Sequence, residues 1–179
     1  IGQHDRSLFF IMPLVPGESL RAELAKGTLR LGDIVEVGLQ TALALDAAHA
    51  QGVVHRDVKP ENLLVARRKP EGLWIRVTDF GLATASTENR LTNAGDIVGT
   101  IAYMSPEQVT SEPIDARTDI YSLGVVLFEC LTGEPPFSGD FAAVCYRIAH
   151  EAPPTPRSLG ASLNPELESI IMDCLHKDP

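Results

Sequence analysis

His55-Arg56-Asp57-Val58-Lys59-Pro60-Glu61-Asn62 places an acid, bases of different kind and an amide within one short loop. Before it, Gly52 ends an apolar-periodic stretch and Val53-Val54 reads as a short strand; after it, Leu63-Leu64-Val65 reads as another. Polar side chains held between short strands make this loop the expected site. The flanking sequence reads as its support.

Working outward, Asp33 to Gln51 carries Ile34, Val37, Thr41, Leu45 and Ala48 at helical spacing, with Asp33 at the positive end and Gly52 as stop. Leu73 to Val77 is predicted to pair with Leu63 to Val65 across a turn at Lys69-Pro70-Glu71-Gly72, and Arg67-Arg68-Lys69 reads as a solvated hairpin tip. Nearer the start, Leu8 to Met12 has strand length, with Ile1-Gly2 closing a preceding strand and His4-Asp5-Arg6 between them. Pro13 to Gly17 then breaks regular structure, and Ser19 caps a short helix that Gly27 ends.

Beyond the loop, Asp79 to Glu107 lacks sustained periodicity. Thr118 to Thr132 is apolar almost all round, as a central core helix would be, and Gly133 stops it. A further helix is predicted over Asp140 to Glu151, followed by a non-helical bridge at Pro153, Pro154 and Pro156. The last helix opens with Asn164 as cap and Pro165 in first position, then shows Leu167, Ile170, Ile171, Cys174 and Leu175 as one apolar face. Few strands followed mostly by helix is an α+β pattern.

A chain of 179 residues holds one domain or a piece of one, and its net charge of -9 argues against nucleic-acid or anionic-membrane surfaces. The longest apolar run, Ile120 to Leu131, is interrupted by Ser122 and Glu129 and is shorter than the roughly 20 residues a membrane span needs. Cys130, Cys145 and Cys174 are odd in number and set in apolar helical patterns, which fits reduced core thiols. No basic-then-apolar signal segment opens the chain, and its start without Met reads as that of a fragment.

His55 to Asn62, Asp79-Phe80-Gly81 and Ser105-Pro106-Glu107 follow the order and spacing of the protein-kinase catalytic loop, magnesium motif and Ala-Pro-Glu motif. With Asp119-Ile120-Tyr121-Ser122-Leu123-Gly124 as its central helix, the chain resembles the eukaryotic-type Ser/Thr protein kinases in their bacterial form, over essentially its whole length. The resemblance implies a protein-kinase-like α+β fold. Residues 1–12 would end the small-lobe sheet, 13–17 form the hinge, and 18–179 form a mostly helical large lobe truncated before its last helix.

The same resemblance implies ATP and Mg²⁺ as cofactors and protein Ser/Thr hydroxyls as acceptors. Phosphoryl transfer needs positioning and charge neutralisation. Asp57 would accept the acceptor's proton, Lys59 would offer charge to the γ-phosphate, and Asn62 and Asp79 supply the hard oxygens Mg²⁺ prefers. Met12 would be the gatekeeper, Pro13 carbonyl and Val15 backbone would bond adenine, and Leu64 would pack beneath it; Pro13 departs from the usual acidic residue but keeps the carbonyl. His55 would pack beneath Phe80, and Asp119 would fix the loop backbone. Arg56 would meet a phosphate on Thr92, ahead of Thr100 in the activation segment, with Ser86 and Thr87 as weaker phosphorylation candidates and Ala94 where a second threonine is usual.

Lys59 and Gly99-Thr100 favour Ser/Thr over Tyr acceptors. Glu61 is either a solvated carboxylate or an attractor for a basic residue near the acceptor. The sequence contains no Gly-rich phosphate loop, no strand lysine for the α/β-phosphates and no glutamate partner for it, so these are expected upstream and the chain alone is expected to be inactive. Glu107 would lack the arginine that usually pairs with it. Expected partners are protein substrates and the missing small lobe, with no nucleic acid and no membrane contact from this segment. The expected location is cytoplasmic, with membrane anchoring open to regions outside it. Two other readings stay open: a pseudokinase or scaffold that binds partners without catalysis, and a small-molecule kinase of related fold.

Overall fold

Caps and breakers set the helix boundaries. In the computed structural model, which describes residues 2–4, 7–9, 11, 14–68, 72–80 and 101–178, the Ala22 N–H donates to Ser19 Oγ at 3.3 Å and opens helix α1, Leu20–Lys26, which ends at Gly27. Helix α2, Leu31–His49, starts ahead of the expected Asp33. That carboxylate sits in the first turn, favoured by the helix dipole, and accepts from the Arg30 N–H at 3.0 Å. A short helix α3, Pro106–Thr110, follows the segment read as irregular. Helix α4 is Arg117–Thr132, α5 is Phe141–His150 and α6 is Pro165–Cys174; Asn164 caps α6 as predicted, and Asp140 caps α5.

Strands β1, Gly2–His4, and β2, Ser7–Phe9, form an antiparallel hairpin with Gln3 opposite Leu8; the hairpin is the expected one, but His4, read as turn, pairs with Ser7, and Ile11 lies outside the strand. A second sheet runs β3, Glu18–Ser19, then β4, Leu63–Arg68, then β5, Gly72–Val77, all antiparallel. Leu63 stands opposite Val77 and Leu64 opposite Arg76, the predicted pairing. Gly17 permits the approach to this sheet. Its φ is 123°, and a Cβ there would lie 2.2 Å from the Val65 carbonyl oxygen.

The core is built around α4, where Val125, Val126 and Phe128 are at most 1% exposed. Helix α2 packs Ile34, Val37 and Leu45 into it, and α6 with the residue that caps its end contributes Ile171 and Leu175. Burial of each such side chain stabilises by roughly 1.5–3 kcal/mol. Helices α4 and α6 approach so closely at Gly124 that a Cβ there would sit 2.7 Å from Cys174 Cβ. Thr118, Asp119, Ser122 and Glu129 are also buried on α4, and each polar group in such a helix needs a partner.

Several expectations are corrected. Val53-Val54 is not a strand: the Val53 N–H donates to Ala48 O at 3.0 Å and completes the end of α2, so it does not serve a ladder. The proline bridge contains a 3₁₀ turn, Pro156–Leu159, because Thr155 accepts from the Ser158 N–H. Ile170 is 57% exposed, since the buried stripe of α6 is narrower than its apolar sequence. Arg67 is not a free hairpin tip; it pairs with buried Glu23 of α1 at 2.8 Å and ties that helix to β4. The predicted turn at Lys69 to Gly72 falls largely on 69–71, outside the described residues.

The three cysteines are free thiols. Burial first, and the charge of Glu129 second, push Cys130 up to about 12, so this thiol is protonated and unreactive at neutral pH. Among the described residues no helix is long and apolar enough to cross a membrane.

Candidate active site

Asp119 organises the loop from beneath. Entirely buried near the start of α4, its Oδ2 accepts from the His55 N–H at 2.8 Å and its Oδ1 from the Arg56 N–H at 2.8 Å. His49 Nε2, at the end of α2, lies 2.7 Å from the same Oδ2. A buried carboxylate is tolerable only with partners of this kind. Here they hold Arg56 in the left-handed region, at φ 67°, which a non-glycine residue rarely adopts unaided.

The His55 ring links this loop to the next motif. Its Nε2 lies 2.8 Å from the Thr78 carbonyl and its Nδ1 accepts from the Asp57 N–H at 3.2 Å, an arrangement that places the proton on Nε2. The ring also packs on Phe80, with centroids 4.6 Å apart. The Thr78 N–H and Oγ1 both donate to the Asn62 carbonyl, at 2.9 and 3.1 Å, so Asp79 follows directly from a residue anchored to the loop. Asp79 is itself left-handed, at φ 63°.

Asp57, Lys59 and Asn62 converge. Lys59 Nζ is 2.9 Å from Asp57 Oδ2, and both side chains are 12% exposed. Asn62 Nδ2 donates to the Asp57 carbonyl at 2.8 Å and to Asp57 Oδ2 at 3.1 Å. With its amide hydrogens turned to Asp57, Asn62 retains an amide oxygen as a donor atom for a hard cation. An amide oxygen here and a carboxylate at Asp79, the residue after the anchored Thr78, suit Mg²⁺ in type, with water and phosphate completing such a shell.

The remaining predicted residues are distributed unevenly. Leu64 is half-buried on β4, and Val15 half-buried in the connector before β3. Met12, Pro13, Gly81, Ser86, Thr87, Thr92, Ala94, Gly99 and Thr100 lie outside the described residues. Glu107 is buried on α3 and is not a lone carboxylate: the Thr118 hydroxyl donates to it from α4, which satisfies one oxygen without an arginine.

Glu61 is also corrected. It is exposed but not a free carboxylate, because Arg21 of α1 donates to one of its oxygens at 2.8 Å. The same guanidinium meets Glu129 of α4 at 2.5 Å and the Tyr103 hydroxyl, which in turn donates to Glu129 at 2.6 Å. Burial opposes the Arg21 charge, yet its bonds to Glu129 and Glu61 outweigh that and raise its pKa. Burial, then the bond to Glu129, raises the Tyr103 hydroxyl as well, keeping it a donor. Sequence reading missed this network. Its signal was Glu129 itself, an acid inside a helix apolar nearly all round.

Glu129→Gln is therefore expected to destabilise the fold by about 1–3 kcal/mol, because an amide hydrogen then faces a donor at a buried position and the buried Tyr103 hydroxyl or the half-buried Arg21 guanidinium loses its acceptor. Urea denaturation of the variant checks this. A midpoint equal to the parent's would mean the network adds no net stability.

These features, set in a mostly helical chain with small antiparallel sheets, fit a kinase-like fold. The whole chain, residues 1–179, matches the protein kinase domain. It is 39% identical to serine/threonine-protein kinase PknB of Mycolicibacterium smegmatis, over 96% of this chain and 27% of that protein. It is 40% identical to serine/threonine-protein kinase pkn3 of Myxococcus xanthus, over 98% of this chain and 34% of the relative, and 39% identical to PknE of Mycobacterium tuberculosis, over 99% and 31%. The chain belongs to the protein kinase domain family. It spans between 27% and 34% of the length of these relatives.

Proposed function

We propose that this chain supplies the catalytic loop of a Ser/Thr protein kinase, which transfers the γ-phosphoryl group of ATP to serine or threonine hydroxyls of protein substrates. The observation that carries this reading is the convergence of Lys59 and Asn62 on Asp57, over a loop backbone held by Asp119. Asp57 accepts the proton of the acceptor hydroxyl as its oxygen bonds to the γ-phosphorus. The bond from that phosphorus to the bridging oxygen breaks, ADP leaves, and the Asp57 proton passes to solvent. Lys59, an ammonium with three donors, keeps one on Asp57 and offers the others to the transferred oxygens.

Asn62 and Asp79 would hold Mg²⁺, which neutralises phosphate charge when bound. Val15, Leu64, Met12 and Pro13 are the proposed adenine contacts. The phosphate-gripping loop and strand lysine absent from this sequence would come from residues outside it, and the reaction would take place in the cytoplasm. Arg56 Nε is buried and has no hydrogen-bond partner among the described residues, which supports a role for Arg56 in meeting an anion. We assign that anion to a phosphate on Thr92.

The test uses the whole protein containing this chain, Mg-ATP and a generic protein substrate. Phosphoserine or phosphothreonine is the expected product, and peptide mapping of the active enzyme is expected to find phosphate on Thr92. Phosphate on a sugar and on no protein would replace this reading with a small-molecule kinase. Partner binding with no transfer at all would replace it with a scaffold, and full activity with Thr92 unmodified would remove the role given to that residue.

A further inference from the structure

Gln108 of α3 is bound at both ends of its side-chain amide. Oε1 accepts from the Ser105 N–H at 3.0 Å, and Nε2 donates to the Arg56 carbonyl at 2.9 Å. The first bond caps α3. A glutamate would do as well there, since capping at this position needs only an acceptor. The second bond needs the amide hydrogen, and capping does not account for it.

The Arg56 carbonyl belongs to the peptide unit that leads into Asp57. The N–H of the same unit is the one that donates to His55 Nδ1 at 3.2 Å. Gln108 and His55 thus grip opposite edges of a single peptide plane, while Asp119 holds the N–H of the preceding one at 2.8 Å. Arg56 lies between these planes in its left-handed conformation. Rotation of the plane before Asp57 would swing the Asp57 Cα–Cβ bond and carry the carboxylate off its position beside Lys59. Of these grips, Gln108 alone comes from α3, through a half-buried side chain on that short helix.

We infer that Gln108 is a positioning residue for Asp57: its amide N–H fixes the Arg56–Asp57 peptide plane, so that the placement of the base depends on the segment around Ser105 to Gln108. The inference rests on the phosphotransfer reading above for its kinetic consequence, and on the hydrogen bonds alone for its structural one. Gln108 touches no reacting atom. It acts through the backbone of the residue that does.

Gln108→Glu separates the two bonds, because it keeps the acceptor for Ser105 and loses the donor to Arg56. In the whole protein it is expected to lower kcat by about 10–100-fold, the scale of a small misplacement of a catalytic group, while KM for ATP stays within about two-fold of the parent. Wild-type kcat in this variant would overturn the inference and leave Gln108 as a helix cap. Gln108→Met, of similar length and uncharged, decides the matter if the added charge beside the Arg56 carbonyl unfolds the loop; the same loss of kcat is expected, and parental kcat overturns the proposal. Amide hydrogen exchange gives a readout independent of activity. In Gln108→Glu, exchange at Arg56 and Asp57 is expected to quicken while that of α3 is unchanged, and unchanged exchange at both loop amides would overturn the inference. If the parent protein transfers no phosphate, the phosphotransfer reading fails by that result, and exchange alone decides whether Gln108 holds the plane.

Discussion

Asp57→Asn is expected to lower the rate of phosphoryl transfer by about 10²–10⁴-fold, the range a general base supplies. Asparagine matches aspartate in shape but cannot take a proton from the acceptor hydroxyl. The loop should survive the change. Its backbone is held by Asp119 and by the Asn62 amide bonded to the residue-57 carbonyl at 2.8 Å, and neither contact uses the Asp57 side chain. KM for ATP should therefore stay near the parental value, and the loss should appear in the single-turnover rate at saturating Mg-ATP. A rate within a few-fold of the parent would remove Asp57 as the base and turn attention to the charge of Lys59.

Asp119→Asn is expected to cost about 3–5 kcal/mol of folding stability, the scale for breaking a fully buried network by changing one partner. The carboxylate receives the His55 and Arg56 N–H groups and lies against His49 Nε2, using both oxygens. An amide can accept at one oxygen only, and its NH₂ would face a buried donor. That cost is a large share of the 5–15 kcal/mol that typically separates folded from unfolded chains. Urea denaturation at an unchanged slope is the direct measurement. Activity should fall with it, since Arg56 would lose the contact that holds its left-handed backbone. A variant with parental midpoint and activity would show that His55 and the α4 helix hold the loop without Asp119.

Local signals were legible where the physics is local. Ser19 and Asn164 were readable as caps because a cap bonds to backbone only a few residues away. The apolar continuity of Thr118 to Thr132 announced a buried central helix, and two strand-length runs, Leu63 to Val65 and Leu73 to Val77, on either side of turn residues announced their pairing. Where two local rules competed, the reading failed. Val53-Val54 has strand composition, yet the free carbonyls at the end of α2 claimed the Val53 backbone donor first. Ile170 fits the apolar period of α6, but the helix shows only a narrow stripe to the core.

The candidate site was partly legible for the same reason. Asp57, Lys59 and Asn62 are close in sequence, so one turn of backbone can bring them together. The partners of the supporting charges are not close. Arg21 reaches Glu129 across 108 positions, Arg67 reaches Glu23 across 44, and Gln108 reaches the Arg56 carbonyl across 52. Glu61 read equally well as a solvated acid or a substrate contact until α1 placed a guanidinium beside it.

What the sequence by itself determined is the set of reactive groups in the His55 to Asn62 loop and the helices that flank it, because both depend on residue type and short spacing. Tertiary structure alone decided which further partners the loop and its neighbouring charges take. Packing of α1, α3 and α4 around the loop commits Glu61 to Arg21, Glu107 to Thr118 and the Arg56 carbonyl to Gln108, and a buried polar group takes whichever partner the fold brings within reach.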